Sequence, residues 1–221
     1  MDAATQLFDA IRAGEVETVR SLLVADPSLV NRRNEHGHTP VLIAQYRHQA
    51  AVVAVLLAAG PDLDLFDACS VGKTDRVAEL LDREPSLLNA YSNDGFYPLG
   101  LAAFFAHPET VRLLLARGAD VAQAAHNPMK AQPLHAAAAS RSLEVVKLLV
   151  EAGAPVNAKQ QEGWSPVQEA VNSANEEMTR YLVAHGADPR QENDAGTSAL
   201  DLAERKGNAT ILRLLGGRET A

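Results

Sequence analysis

Short apolar runs at helical spacing recur along the chain, and polar stretches separate successive pairs of runs. In one run, Val145, Val146, Leu148 and Leu149 fall where they share one face of a helix. Gly153 follows the run and ends the helix, because glycine enters the left-handed region without strain. The pattern predicts two short amphipathic helices in each unit.

The residue expected to close the first helix of each unit recurs at a near-constant spacing. The gaps between these residues are 34, 24, 34, 35, 33 and 33. A period of about 33 indicates a stacked helical repeat, whose function lies on an extended surface. The closing residues are Gly14, His48, Gly72, Ala106, Arg141, Ala174 and Gly207.

Several strings resemble the ankyrin repeat: Gly37-His38-Thr39-Pro40, Pro133-Leu134-His135-Ala136-Ala137, Arg117-Gly118-Ala119-Asp120-Val121 and His185-Gly186-Ala187-Asp188. The resemblance covers about residues 4–217 as seven units in register. It implies an all-α solenoid, a right-handed stack of helix-turn-helix units with short β-hairpin fingers. We expect a single domain over 1–221, with units at about 1–31, 32–62, 63–89, 90–121, 122–157, 158–189 and 190–217.

The departures from the family pattern concern one histidine and one finger. In the family, the histidine of the Thr-Pro-Leu-His string ties adjacent repeats by hydrogen bonding, and only His135 keeps it here. The other units carry Phe8, Leu42, Phe66, Gly100, Gln168 and Asp201 in that slot. There we expect stacking to depend more on apolar contact. The third unit lacks its finger, which explains the 24-residue gap. A 58-residue offset also relates units one and two to units three and four.

Composition and charge narrow the function. The net charge is −8 and the pI is about 5.3, which disfavours non-specific binding to nucleic acid. No apolar run approaches the roughly 20 residues that cross a bilayer, and no signal peptide is evident. One cysteine permits no internal disulfide. We expect a cytoplasmic protein, monomeric unless its aromatic surface serves self-association.

Candidate chemical motifs do not fit the register. Gly72-Lys73-Thr74 suggests a phosphate loop, but Asp67 stands where that loop needs a second glycine. His36 and His38 lack the further ligands of a zinc site and are expected to be solvated fingertip residues. Cys69 has no base placed beside it. We therefore expect no metal, no cofactor and no enzymatic activity.

The aromatic residues indicate a binding surface. The chain has ten aromatics, and six fall at positions that the resemblance places on the concave face of fingers and first helices. Binding hot spots favour Trp, Tyr and Arg. The alternative is that the unit-four aromatics pack around the missing finger. The predicted partner-binding residues are Tyr46, Arg47, Tyr91, Phe96, Phe104, Phe105 and Trp164.

The leading functional hypothesis is a non-catalytic protein–protein interaction module, acting as an adaptor, inhibitor or sequestering factor. It would bind another protein through its concave face. The alternative is a small-ligand or nucleotide-binding protein that uses a notch near the finger-less third unit. A deep pocket with converging titratable groups would favour that alternative.

Overall fold

The computed structural model describes residues 2–217, and these form fourteen α-helices in seven consecutive pairs. The predicted domain span also includes Met1 and 218–221, which lie outside the described residues. Each pair is called a unit below. The helices are α1 Ala3–Ala13, α2 Val16–Ala25, α3 Pro40–Tyr46, α4 Ala50–Ala58, α5 Leu65–Ser70, α6 Thr74–Arg83, α7 Pro98–Phe104, α8 Pro108–Ala116, α9 Pro133–Ala139, α10 Leu143–Glu151, α11 Pro166–Asn172, α12 Glu176–Ala184, α13 Ala199–Arg205 and α14 Ala209–Leu214.

The odd-numbered helices form one row and the even-numbered helices form a second row. Each helix contacts its own partner and the corresponding helix of a neighbouring unit. One apolar cluster runs between the rows, and Leu7, Leu99, Val145 and Met178 are all fully or almost fully buried in it. This arrangement confirms the predicted all-α solenoid.

The residue that closes each first helix adopts a left-handed backbone in all seven units. The φ angles are 74° at Gly14, 54° at His48, 67° at Gly72, 57° at Ala106, 59° at Arg141, 54° at Ala174 and 62° at Gly207. A positive φ turns the chain so that the second helix can pack back on the first. The spacing that marked the repeat in the sequence is therefore the spacing of one recurrent backbone turn.

The fingers are tight loops, since residues 2–217 contain no β-strand. In the second-unit finger (32–39), the Asn34 side-chain oxygen accepts from the backbone N–H groups of His36, at 3.0 Å, and His38, at 2.9 Å. The Asn34 N–H donates to the His38 carbonyl at 3.0 Å. Asn193 repeats this arrangement in the seventh unit. One polar side chain thus holds each of these loops where the resemblance implied a β-hairpin.

The third unit has no finger, as predicted: six residues, 59–64, connect α4 to α5. The second-unit finger therefore meets the fourth-unit finger (90–97) directly. The Asn93 amide donates to the His36 carbonyl at 3.4 Å, and His38 Nε2 lies 3.3 Å from an Asp94 carboxylate oxygen. The row of fingers closes over the third unit. The helix rows are loosest at that boundary, between α3 and α5 and between α4 and α6.

Polar ties between units persist where the family histidine is missing. Gln168 Nε2 donates to the Thr197 carbonyl at 2.6 Å, just as His135 Nε2 bonds the Ala158 carbonyl at 3.0 Å. The Thr39 hydroxyl donates to the Asp67 carboxylate at 2.5 Å across the finger-less boundary. At these two boundaries a polar tie therefore accompanies the expected apolar contact, supplied by the slot residue itself at Gln168 and from another position at Thr39.

Tyr97 and Gly100 together replace the histidine in the fourth unit. The buried Tyr97 ring lies against Gly100, where a Cβ would come within 2.8 Å of the ring's Cζ atom. The Tyr97 hydroxyl donates to the Ala131 carbonyl of the next unit at 3.1 Å. Gly100 is therefore required by the ring, and Tyr97 supplies the tie that the slot itself has lost.

Candidate partner-binding groove

Four of the predicted site residues, Tyr46, Phe96, Phe104 and Phe105, lie together and are called the aromatic cluster below. The Tyr46 ring centroid lies 6.0 Å from that of Phe96 and 6.1 Å from that of Phe105. Phe104 and Phe105 meet edge to face at 5.1 Å. Tyr46 ends α3 and the phenylalanines belong to the fourth unit, so the cluster spans the intervening third unit.

Tyr46 is held in place by a hydrogen-bonded carboxylate. Its hydroxyl donates to Asp94 at 2.7 Å, and the other Asp94 oxygen accepts from Ser92 at 2.5 Å. Burial, reinforced by the Asp94 charge, raises the pKa of Tyr46 above its ordinary value. The hydroxyl is therefore neutral, and its hydrogen bond is made within the protein. Only part of the Tyr46 ring is exposed.

An open cavity of about 280 Å³ lies beside the aromatic cluster, between α7 and α9. Its walls are almost entirely apolar, and Met129 on the fifth-unit finger is 45% exposed at the rim. Ala139, the last residue of α9, is exposed and leaves space at the other side. We call this cavity the apolar groove; its main lining residues are Phe96, Leu101, Phe104, Met129, Ala136 and Ala139.

A second cavity of about 350 Å³ continues the apolar groove, sharing Met129, Gln160 and Glu169 with it. It adds Trp164 and Glu162, and we call it the acidic end. Glu169 is half-buried, and within residues 2–217 its carboxylate has no hydrogen bond or ion pair. Burial raises the pKa of Glu169, against a smaller opposing effect of Arg141. Neither cavity is lined by a lysine or an arginine.

Of the other three predicted residues, only Trp164 lines one of the two cavities. Trp164 is half-buried in the acidic end. Tyr91 is 45% exposed but packs against Tyr97 and His126, and its hydroxyl donates to the Ala124 carbonyl at 3.0 Å. Arg47 is exposed after α3 and lines neither cavity.

Sequence reasoning did not select Met129, Ala139 or Glu169 as site residues. Met129 lies in a finger that the repeat register makes two residues longer than its neighbours, and that insertion was a usable signal. Ala139 is at a predicted exposed position but has no distinctive side chain. Nothing in the sequence separates Glu169 from the other surface glutamates, since its unpaired, half-buried state depends on the neighbouring unit.

The Gly72-Lys73-Thr74 string lines an open hollow of about 520 Å³ next to α6. Asp62, Asp75 and Glu79 also line it, so a phosphate would meet three carboxylates. Arg76 is already paired with Asp62 at 2.8 Å and Glu79 at 3.1 Å. This hollow borders the third unit, and its three carboxylates do not suit a nucleotide.

The remaining candidate chemistry is weak. No three metal-binding side chains converge among residues 2–217. Cys69 is fully buried, and burial raises the pKa of its thiol, so it is a poor nucleophile. Within the same residues, the helices are too short or too polar to traverse a bilayer.

Paired helices, left-handed turns and a row of fingers define a helical repeat protein with an extended surface. The family description "Ankyrin repeats (3 copies)" matches residues 65–160 and 134–220. The chain belongs to the ankyrin repeat family, as its sequence motifs predicted.

Three of the curated relatives carry the name of a regulatory subunit. The chain is 29% identical over 213 residues to the "Probable 26S proteasome regulatory subunit p28" of Saccharomyces cerevisiae, covering 89% of this chain and 92% of the relative. It is 42% identical over 71 residues to "Protein phosphatase 1 regulatory subunit 12A" of Mus musculus, covering 32% of this chain and 7% of that protein. It is 36% identical over 88 residues to "Protein phosphatase 1 regulatory subunit 27" of Homo sapiens, covering 40% and 57%. The chain thus spans most of the yeast relative but under two thirds of the phosphatase subunits.

Proposed function

We propose that the protein is a non-catalytic interaction module that binds another protein through the face formed by its fingers and first helices. The observation that carries this proposal is the apolar groove, which opens to solvent beside the aromatic cluster. Exposed apolar surface of this kind is typical of interaction sites, and aromatic anchors supply much of the binding energy at interfaces.

The shape and chemistry of the groove support a protein partner more than a small ligand. The groove and its acidic end form two open, contiguous cavities, whereas small-molecule sites enclose their ligand and converge a few polar groups on it. His135, which touches the groove, has both ring nitrogens occupied, by the Gln132 N–H at 3.2 Å and the Ala158 carbonyl at 3.0 Å. The residues that line the two cavities with Glu169 include no serine, threonine, cysteine or lysine to act as a nucleophile. We expect binding without chemistry.

The names of the relatives support a regulatory role. One is described as a proteasome regulatory subunit and two as phosphatase regulatory subunits. A protein that binds through such a face and does no chemistry acts by covering a surface of its partner. We therefore propose an adaptor, inhibitor or sequestering factor that works as a monomer in the cytoplasm, and we expect it to need no cofactor.

Capture of the native partner tests this function. The wild-type chain, Phe104→Ala and Trp164→Ala would each be immobilised and exposed to a lysate of the native host, and bound chains identified by mass spectrometry. We expect both variants to lose the same bound protein while their melting temperatures stay near the wild-type value. Tyr181→Ala is the matched control, since Tyr181 is a partly exposed aromatic on the second-helix row. Retained capture together with a large drop in melting temperature would show that these rings only pack the fold.

A further inference from the structure

We infer that the partner presents a segment with a large apolar side chain next to a lysine or arginine, the apolar side chain entering the apolar groove and the cation reaching Glu169. This inference rests on the proposed function and specifies the chemistry of its partner. It follows from three features of the site: an apolar cavity, an unpaired carboxylate and their continuity.

The apolar groove has room for a large side chain. Its cavity of about 280 Å³ is walled by Phe96, Leu101 and Phe104 on one side and by α9 alanines on the other. Filling it removes apolar surface from water, which favours binding. A polar or charged side chain would lose its hydration there, because the walls offer few hydrogen-bond partners.

Glu169 lies where the apolar groove meets its acidic end, and among residues 2–217 no cation forms an ion pair with it. Burial already disfavours its charged form, as the direction of its pKa shows. Arg141, the cation that acts on it electrostatically, makes no ion pair with it within 4.0 Å. A cation from a partner would offset this desolvation and form a charge-assisted hydrogen bond. Glu162 adds a second carboxylate at the same end.

One short segment can reach both the apolar groove and the acidic end, because Met129, Gln160 and Glu169 line both cavities. The long alkyl stem of lysine or arginine can lie on Met129 while its charged head reaches Glu169. Trp164 also lines the acidic end, and indole rings attract cations. An acidic or phosphorylated segment would instead meet two carboxylates and no lining lysine or arginine.

A random peptide library displayed on phage and selected on the immobilised full-length chain tests the inference. We expect enriched sequences to carry a large apolar residue within about two positions of lysine or arginine. The most enriched peptide would then be labelled and titrated by fluorescence anisotropy against the wild type, Glu169→Gln and Ala139→Leu. Glu177→Gln and Ala184→Leu are matched controls, since both residues are exposed on α12.

We expect Glu169→Gln to weaken binding about tenfold, since a charge-assisted hydrogen bond is replaced by a neutral one. Replacing the basic residue of the peptide by glutamine should weaken wild-type binding similarly but have little further effect on Glu169→Gln. Ala139→Leu should reduce binding at least tenfold by occupying the groove. Both controls should bind like the wild type.

The possible failures separate the two proposals. If the selected peptides bind Ala139→Leu weakly but lack a basic residue, or bind Glu169→Gln as well as the wild type, the inferred chemistry is wrong. The proposed binding face is then still supported. Peptides that are insensitive to both Ala139→Leu and Phe104→Ala overturn the binding face as well. An absence of any enriched peptide overturns the inferred segment, while native-partner capture still decides the proposed function.

Discussion

The first four units and the last three use different side chains for the hydrogen bonds that join adjacent units. In the fifth and sixth units, neutral groups in one slot, His135 and Gln168, bond to carbonyls of the next unit. Among the first four units, a buried carboxylate, Asp67, accepts from Thr39, and the tyrosine Tyr97 replaces a slot residue. Each of these boundaries has a polar tie, and the residue that supplies it comes from several positions.

The two regions also differ in how the fingers meet. From the fourth unit onward, backbone groups join neighbouring fingers, as where the His126 N–H donates to the Gly95 carbonyl at 2.8 Å. Between the second and fourth units, the contacts come from the side chains of Asn93 and His38. Loss of one finger is thus tolerated because polar side chains bridge the remaining pair.

The largest expected effect comes from replacing the tyrosine tie of the fourth unit by a histidine tie like that of the fifth unit. Tyr97→Thr should lower the free energy of unfolding by about 3 kcal/mol or more, because it empties a buried site. Gly100→His should cost a similar amount, since the ring of Tyr97 occupies that space. The double variant recreates the family pattern and should be more stable than the sum predicts by about 1 to 2 kcal/mol. Urea unfolding measures all three, and additive losses would show that Tyr97 and Gly100 are not coupled.

Asp67 should make the first region more stable in mild acid. Burial, with Asp64 nearby, raises the pKa of Asp67 to about 7, whereas the unfolded carboxyl titrates near pH 4. Between these values the folded chain keeps a proton that the unfolded chain releases. The Asp67 contribution to stability therefore falls as the pH rises from about 4 to about 7, by at most about 4 kcal/mol.

The comparison of wild type with Asp67→Asn isolates that effect. The free energy of unfolding of both proteins would be measured in urea at about pH 4.5 and about pH 8. Raising the pH should lower the stability of the wild type relative to that of Asp67→Asn. Asp75→Asn, at an exposed position on α6, is the control. A pH-independent difference would mean that Asp67 titrates alike in both states.

His135 should give the last region the opposite pH response. Burial lowers the pKa of His135 to about 4, while the unfolded side chain titrates near 6.5. As the pH falls from about 6.5 to about 4, the unfolded chain takes up a proton that the folded chain excludes. The His135 contribution to stability is lost over that window, by at most about 3 kcal/mol. His135→Gln, which keeps a donor of the kind seen at Gln168, should remove this loss in urea unfolding; an unchanged pH dependence would contradict the assignment.

The left-handed turns give the smallest predicted effects. Ala174→Gly should stabilise the chain by about 1 kcal/mol, because glycine adopts φ of 54° without strain. Gly72→Ala should destabilise it by more than about 1 kcal/mol, since its Cβ would also lie 2.6 Å from a ring nitrogen of His107. Thermal unfolding measures both. Equal and opposite shifts would indicate that backbone strain alone matters and that the His107 contact does not.

Most of the fold was predictable from the sequence, because helix propensity, apolar spacing and turn residues act over short distances. The seven turn positions, the missing finger and the ankyrin repeats all follow from local pattern. The meeting of Tyr46 with Phe105 was not predictable, since it depends on how closely the second and fourth units approach across a finger-less one.

The candidate site, like the fold, was predictable from the sequence only in part. The sequence by itself was enough to predict which aromatic residues face the finger side, because a repeat register assigns each residue a face. Only the tertiary structure decided that Tyr46 is tied to Asp94, that Ala139 leaves an opening, and that Glu169 is half-buried with no hydrogen bond or ion pair among residues 2–217. These features depend on what the adjacent unit brings to each side chain, and burial and pairing are properties of neighbours in space.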